Sequence, residues 1–80
     1  MIQELSGSNK VAGAKQVRRA LRDGRAAALY MAMDADPRML QPLVQDAVNR
    51  QVPIRQVSTM KELGASCGIA VGAAVAVLLK

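Results

Sequence analysis

Residues 26–33 read Ala-Ala-Ala-Leu-Tyr-Met-Ala-Met, and residues 34–37 continue as Asp-Ala-Asp-Pro. The nearly continuous apolar run predicts a strand that is covered on both faces. Asp36 suits the N-cap of a following helix, and Pro37 suits its first position, because proline fixes a helical φ and needs no amide partner there. A buried strand that leads directly into a helix is typical of α/β folds.

Upstream of this stretch, the pattern predicts one short strand and one helix. The strand covers residues 10–12 and ends at Gly13, and the helix covers residues 14–23. Its apolar residues Val17, Ala20 and Leu21 recur at helical spacing, and Gly24 suits the position after the last turn. The first nine residues are polar, and we expect them to be loosely held.

Downstream, the helix that Asp36 caps runs through Arg50, with Leu40, Leu43, Val44, Ala47 and Val48 on its apolar face. Because Pro42 lacks an amide, we expect an irregular first turn and a regular helix that begins near Gln41. A strand at residues 54–57 follows. Thr59 and Glu62 form a capping box for a helix that ends at Gly68, and a loop at residues 69–72 leads into a buried strand at residues 73–79.

Helices that alternate with apolar strands predict one domain, residues 1–80, folded as a three-layer α/β/α sandwich with a mixed central sheet. The chain has 80 residues and a formal net charge of +5, which favours nucleic acid or an anionic membrane surface as partner. The longest apolar run, residues 69–79, is far shorter than the ~20 residues of a membrane span. We therefore predict no membrane partner. We also predict a monomer, and the single cysteine suits a reducing cytoplasm.

Missing residue types exclude several functions. The chain has no His, Trp or Phe, and Cys67 is its single cysteine. No internal disulfide, Cys/His zinc site or histidine base can form, so we predict neither an enzyme nor a cofactor or metal site. Asp34 and Asp36 do not make a metal site, because Asp36 is better explained as a cap. The side chains interpreted as core residues include Met31, Met33, Met39, Met60 and Cys67.

A basic stripe is the first functional candidate. Lys15, Arg18, Arg19 and Arg22 lie at i, i+3, i+4 and i+7, so they share one helix face. A solvated helix face explains the spacing equally well, whereas a phosphate-rich partner explains the clustering better.

Gly13 and the loop at residues 68–72 are two further candidates. Gly13 permits close approach of a partner at the helix start, although a simple turn explains it as well. The loop Gly68-Ile69-Ala70-Val71-Gly72 places apolar side chains between two glycines and suits an unstacked base. From the residues alone, a buried connection into the last strand is the favoured interpretation of this loop.

Four segments together resemble one known family, the kink-turn-binding L7Ae/L30e family of ribosomal proteins, and in particular its small bacterial members. The resemblance covers nearly the whole chain after Lys10. It is carried by Gly13-Ala14-Lys15-Gln16-Val17-Arg18-Arg19-Ala20, Asp34-Ala35-Asp36-Pro37, Leu63-Gly64-Ala65-Ser66-Cys67-Gly68 and Ile69-Ala70-Val71-Gly72-Ala73-Ala74.

The resemblance implies an α/β/α sandwich that binds a kink-turn, which is a sharply bent RNA helix with a bulge followed by sheared G·A pairs. The same resemblance implies that the start of the first helix enters the groove beside the G·A pairs, which here means Gly13, Lys15, Gln16 and Arg19. Arg18 is included among the candidate RNA-binding residues because it belongs to the basic stripe. Ile69, Ala70, Val71 and Gly72 cover the flipped bulge nucleotides.

The chain departs from the archaeal members, which typically carry Asn-Glu in place of Lys15-Gln16. Met60 and Ala65 stand where many relatives have a basic residue, so we expect fewer phosphate contacts and weaker RNA binding than in the archaeal members. The predicted function is kink-turn RNA binding, with the ribosome as a further partner. The alternative is a structural ribosomal protein that binds ribosomal RNA or protein without kink-turn selectivity.

Overall fold

The computed structural model describes residues 5, 7, 9–69 and 71–80, and these residues form seven regular elements. In chain order they are β1 (Lys10–Ala12), α1 (Ala14–Arg22), β2 (Ala26–Ala32), α2 (Pro37–Asn49), β3 (Ile54–Val57), α3 (Met60–Ser66) and β4 (Val75–Leu79).

A mixed four-stranded sheet with the order β1-β4-β2-β3 forms the middle of the molecule. β4 is antiparallel to both neighbours, with Val75 opposite Met31 and Ala76 opposite Ala12, whereas β2 and β3 are parallel. α1 and α2 pack against each other on one face, and α3 lies against the other. Val75, Ala76 and Val77 in the central strand β4 are fully buried, as two covered faces require. The predicted three-layer α/β/α sandwich is confirmed.

Helix α1 is amphipathic in the way its sequence predicts. Val17, Ala20 and Leu21 are fully buried against the sheet, and the basic side chains lie on the opposite face. Gly24 follows the helix with φ of 71°, a left-handed conformation that glycine adopts without a Cβ penalty.

Helix α2 corrects two expectations. Asp36 accepts a hydrogen bond from the Arg38 amide at 2.9 Å, and the helix begins at Pro37 and continues through Pro42 rather than starting near Gln41. Pro42 removes one backbone bond, and the cap and the burial of the helix's apolar face outweigh that loss. Val48, which was expected on the apolar face, is 56% exposed because it lies near the last turn, beyond the packed face.

Helix α3 and strand β4 are joined by a longer connection than predicted. The Thr59 hydroxyl accepts a hydrogen bond from the Glu62 amide at 3.0 Å, so the predicted cap is present. The last strand begins at Val75 rather than at residue 73, because the Ala73 amide donates to the carbonyl of Met60 instead of joining the sheet.

Two residues in the amino-terminal segment are anchored to the sandwich. Leu5 is fully buried in the core, and the Asn9 side-chain amide donates to the Leu79 carbonyl at 2.8 Å. The expectation of a loosely held start concerns residues 1–9, of which 1–4, 6 and 8 lie outside the described residues. Within the described segments, every helix is too short or too polar to cross a membrane.

Candidate nucleic-acid interface

Gly13 joins β1 to α1 in a conformation that favours glycine. Its φ is 98° and its ψ is 147°, a region that residues with a Cβ rarely adopt. The Gly13 amide donates to the Val75 carbonyl at 3.0 Å, and the Gly13 carbonyl accepts the Val17 amide at 2.9 Å. A Cβ built at Gly13 would meet no atom within 4 Å, so the space above the helix start is open to a partner.

The basic stripe forms an exposed cationic face on α1. A shallow depression with a volume near 200 Å³ is bordered by Lys15, Arg18, Arg19 and Arg22. Arg22 lies 3.7 Å from the Asp23 carboxylate, and it is the one member of the stripe with an ion-pair partner among the described residues. Gln16 is exposed at the start of the same helix. Closely spaced cations with few counter-charges favour a polyanionic ligand.

The loop between α3 and β4 is exposed, so the interpretation as a buried connection is wrong. Val71 is 72% exposed and Ile69 is 39% exposed, and Gly72 is exposed as well. Ala70, the remaining predicted contact residue in this loop, lies outside the described residues. Two exposed branched apolar side chains on one short loop offer a surface that can pack against an unstacked base.

Close backbone packing holds this loop on α3. A Cβ at Gly64 would lie 2.3 Å from the carbonyl oxygen of Val71, and a Cβ at Gly72 would lie 3.1 Å from the Cβ of Met60. The Ile69 amide donates to the Gly64 carbonyl at 3.0 Å. The backbone at Ile69, Val71 and Gly72 therefore packs closely against α3, beneath the exposed side chains.

The helix start and the loop are neighbours in the structure. The loop passes from Gly72 into β4 within three residues, and the first residue of β4, Val75, accepts the Gly13 amide. Gly13 and the end of the loop therefore approach the same end of β4, although the predicted contact residues on α1 and in the loop lie at least fifty positions apart in sequence. The described members are Gly13, Lys15, Gln16, Arg18, Arg19, Ile69, Val71 and Gly72.

Sequence reasoning missed three residues that shape this site: Gly64, Met60 and Asp34. Gly64 gave a usable signal, because a glycine inside a helical pattern usually has a packing reason. Met60 gave none, since it contacts the loop through its backbone and Cβ, which almost any other residue would also supply. The Asp34 carboxylate accepts a hydrogen bond from the Met60 amide at 2.8 Å, and this contact joins residues 26 positions apart.

Two titratable groups outside this surface, Asp36 and Cys67, have pKa shifts with a structural cause. Hydrogen bonds from the Arg38 amide and side chain lower the pKa of Asp36. Burial raises the pKa of the Cys67 thiol, although the charge of Lys10 opposes this shift. In the described part of the chain, no three His, Cys, Asp or Glu side chains are grouped to hold a metal ion.

An apolar pocket of about 300 Å³ opens between the end of β2 and the first half of α2. Met31, Leu40 and Val44 line it, together with Met33, which is 52% exposed. The interpretation of Met33 as a core residue is therefore wrong, because it lies just beyond the last residue of β2.

The fold and this surface define a class of protein: a small α/β/α domain with a cationic helix start beside an apolar loop, an arrangement suited to a polyanion. Residues 3–80 match the family described as the Ribosomal protein L7Ae/L30e/S12e/Gadd45 family. The chain belongs to this family, as the resemblance in its sequence implied.

Similar proteins cover almost the whole chain. An RNA-binding protein of Geobacillus sp. (strain WCH70) is 38% identical over 76 residues, which are 95% of this chain and 93% of that protein. An RNA-binding protein of Geobacillus thermodenitrificans is 41% identical over the same coverage. The solved structure of a 15.5 kD RNA-binding protein of Giardia lamblia has a TM-score of 0.87 at 26% identity, over 96% of this chain and 65% of that one.

Proposed function

We propose that this chain is a single-domain, monomeric RNA-binding protein of the cytoplasm that recognises and stabilises kink-turns, in association with the ribosome. The observation that carries the proposal is the hydrogen bond from Gly13 to Val75, which places the start of the cationic helix at the end of β4 that the apolar loop leads into. The names of the similar proteins from Geobacillus, which describe them as RNA-binding, support the choice of RNA as the polyanion.

The start of α1 supplies the polar half of the proposed interface. Lys15 and Gln16 are exposed in the first turn, and Arg18 and Arg19 follow on the same helix. Lysine donates hydrogen bonds only, whereas the glutamine amide both donates and accepts. Lys15 can therefore donate to guanine acceptors, and Gln16 can also accept a hydrogen bond from a donor on a base edge. The guanidinium groups neutralise the phosphates that come close together when an RNA helix bends sharply.

The loop supplies the apolar half. A nucleotide that is flipped out of the stack exposes an aromatic face, and the chain has no Phe or Trp to stack on it. Ile69 and Val71 offer aliphatic packing instead, on a backbone that Gly64 and Met60 already hold in place. Because the loop is fixed before RNA arrives, little entropy is lost when the base packs on it.

Stabilisation of the kink follows from selective binding. A free kink-turn RNA exchanges between open and kinked forms, and a protein that binds the kinked form alone shifts the equilibrium toward it. Binding without any chemical step accounts for all of these features, so the proposal assigns no enzymatic activity to the chain.

The test is a binding titration with two RNAs at two salt concentrations. One RNA carries a kink-turn, and in the matched control Watson–Crick pairs replace the G·A pairs. We expect tight binding to the kink-turn and much weaker binding to the control. Equal, strongly salt-dependent binding to both would contradict kink-turn selection and favour a ribosomal protein that binds RNA without that selectivity.

A further inference from the structure

Asp34 lies in the turn after β2, outside the residues assigned to the RNA interface. Its carboxylate Oδ1 accepts the amide of Met60, the first residue of α3, at 2.8 Å. The first amides of a helix have no partner within the helix itself. Thr59 satisfies the Glu62 amide, so the start of α3 is held by its own cap and by a carboxylate 26 residues away.

Met60 is also the residue on which the apolar loop is seated. Its carbonyl accepts the Ala73 amide at 3.0 Å. Gly72 lies directly against it, because a Cβ at Gly72 would be 3.3 Å from both the carbonyl carbon and the oxygen of Met60. Met60 thus binds Asp34 through its amide and the residues that follow the loop through its carbonyl.

From this arrangement, we propose that Asp34 is a positioning residue for RNA recognition, which acts by fixing Met60 and, through Met60, the loop that carries Ile69 and Val71. The inference rests on the proposed function for its RNA readout. Its structural half, the coupling of Asp34 to the loop backbone, stands on the hydrogen bonds alone.

Removing the charge of Asp34 without its hydrogen-bond acceptor distinguishes a positioning role from direct contact with RNA. A carboxylate close to an RNA backbone repels it, so loss of the charge alone would leave affinity unchanged or raise it. Loss of the acceptor would release the Met60 amide and lower affinity. Asn keeps an acceptor oxygen and loses the charge, whereas Ala loses both, so the two substitutions are expected to act in different directions.

The first measurement is a titration of Asp34→Ala and Asp34→Asn against a kink-turn RNA and against the same RNA with an abasic residue at the flipped bulge position. We expect Asp34→Ala to bind the intact RNA roughly tenfold more weakly and the abasic RNA almost as well as the unsubstituted protein does. Asp34→Asn should bind both RNAs at least as well as the unsubstituted protein. An equal loss on both RNAs, or no loss with Asp34→Ala, would overturn the proposal.

The second measurement needs no RNA and therefore separates failure of this inference from failure of the proposed function. In the free protein, Asp34→Ala should accelerate amide hydrogen exchange at Ala73 and leave exchange at Val17 in α1 unchanged. Acceleration at both positions, or an unfolded Asp34→Ala protein, would mean that Asp34 supports the whole fold and would overturn the positioning role.

Discussion

At the residue scale, Arg19 shows how one side chain separates function from stability. It lies on the exposed face of α1, while its neighbour Ala20 is fully buried. We expect Arg19→Ala to weaken kink-turn binding roughly tenfold, because a charged hydrogen bond to RNA is lost, and to leave the thermal unfolding midpoint unchanged. Arg55→Ala, at an exposed position on the edge strand β3, is the control. Unchanged affinity of Arg19→Ala would remove Arg19 from the interface.

Val71 allows the same separation in the loop. It is the most exposed large apolar side chain in the described residues, so Asp in its place should not disturb the core. We expect Val71→Asp to lower RNA affinity at least tenfold, since apolar packing is lost and a negative charge faces phosphates. The matched control is Val48→Asp, an equivalent change at an exposed valine on α2. A titration in which both variants bind like the unsubstituted protein would contradict the assignment of the loop.

Asp36 gives stability a defined pH dependence. Its folded-state pKa is lowered by the Arg38 hydrogen bonds, so the unfolded chain binds more protons and stability rises with pH through this range. The contribution is complete above the ordinary carboxyl pKa and is lost as the pH falls through the lowered value. We expect Asp36→Asn, which keeps the cap, to have a lower urea midpoint than the unsubstituted protein at neutral pH and an equal one in strong acid. A difference that persisted unchanged into strong acid would argue against this cause.

At the element scale, the packing of Gly64 in α3 against the loop matters more for stability than the low helix propensity of glycine. Alanine normally stabilises a helix interior by about 1 kcal/mol relative to glycine. At Gly64 the added Cβ would lie 2.3 Å from the Val71 carbonyl oxygen, so the loop must move. We therefore expect Gly64→Ala to destabilise the protein by about 1–3 kcal/mol and to weaken RNA binding.

The neighbouring exposed position supplies the calibration for this change. Ala65→Gly on the same helix should lose only about 1 kcal/mol, and its RNA affinity should not change. Urea unfolding and an RNA titration check both variants. A Gly64→Ala protein more stable than the unsubstituted one would show that the loop does not press on α3.

The elements were predictable from sequence where the signal is local. The spacing of apolar residues and the positions of glycine predicted α1 and β2 to within one residue of their observed ends. Asp36 was correctly predicted as the N-cap of α2. The start of α2 near Gln41 was a wrong prediction, because the backbone hydrogen bond that Pro42 removes costs less than the burial of the helix's apolar face gains. The contact of Asp34 with Met60 was invisible, since nothing within a local window relates residues 26 positions apart.

The candidate site was predictable in part for the same reason. The stripe on α1 follows from helical spacing alone, and the structure leaves it exposed. The loop was harder to interpret, because apolar residues usually indicate a core, and only the resemblance to a family indicated an exposed role. Its exposure depends on the close packing of the loop backbone against Gly64 and Met60 of α3, which composition does not reveal.

At the scale of the whole molecule, a net charge of +5 on 80 residues and a site built at one end of the sheet produce two separable effects. The positive charge attracts any polyanion, and this attraction weakens as the salt concentration rises. In the function we propose, the helix start and the loop select RNA shape, because the RNA must contact both at once. Selectivity between kinked and straight RNA should therefore survive a rise in salt that lowers both affinities.

The most direct test of the central claim is a fluorescence energy transfer titration of a kink-turn RNA with donor and acceptor dyes on its two arms. We predict that the protein raises the transfer efficiency, as the arms come together, and that an RNA with Watson–Crick pairs in place of the G·A pairs responds little at either of two salt concentrations. Binding that leaves the arms of the kink-turn apart, or that changes both RNAs alike, would contradict the account.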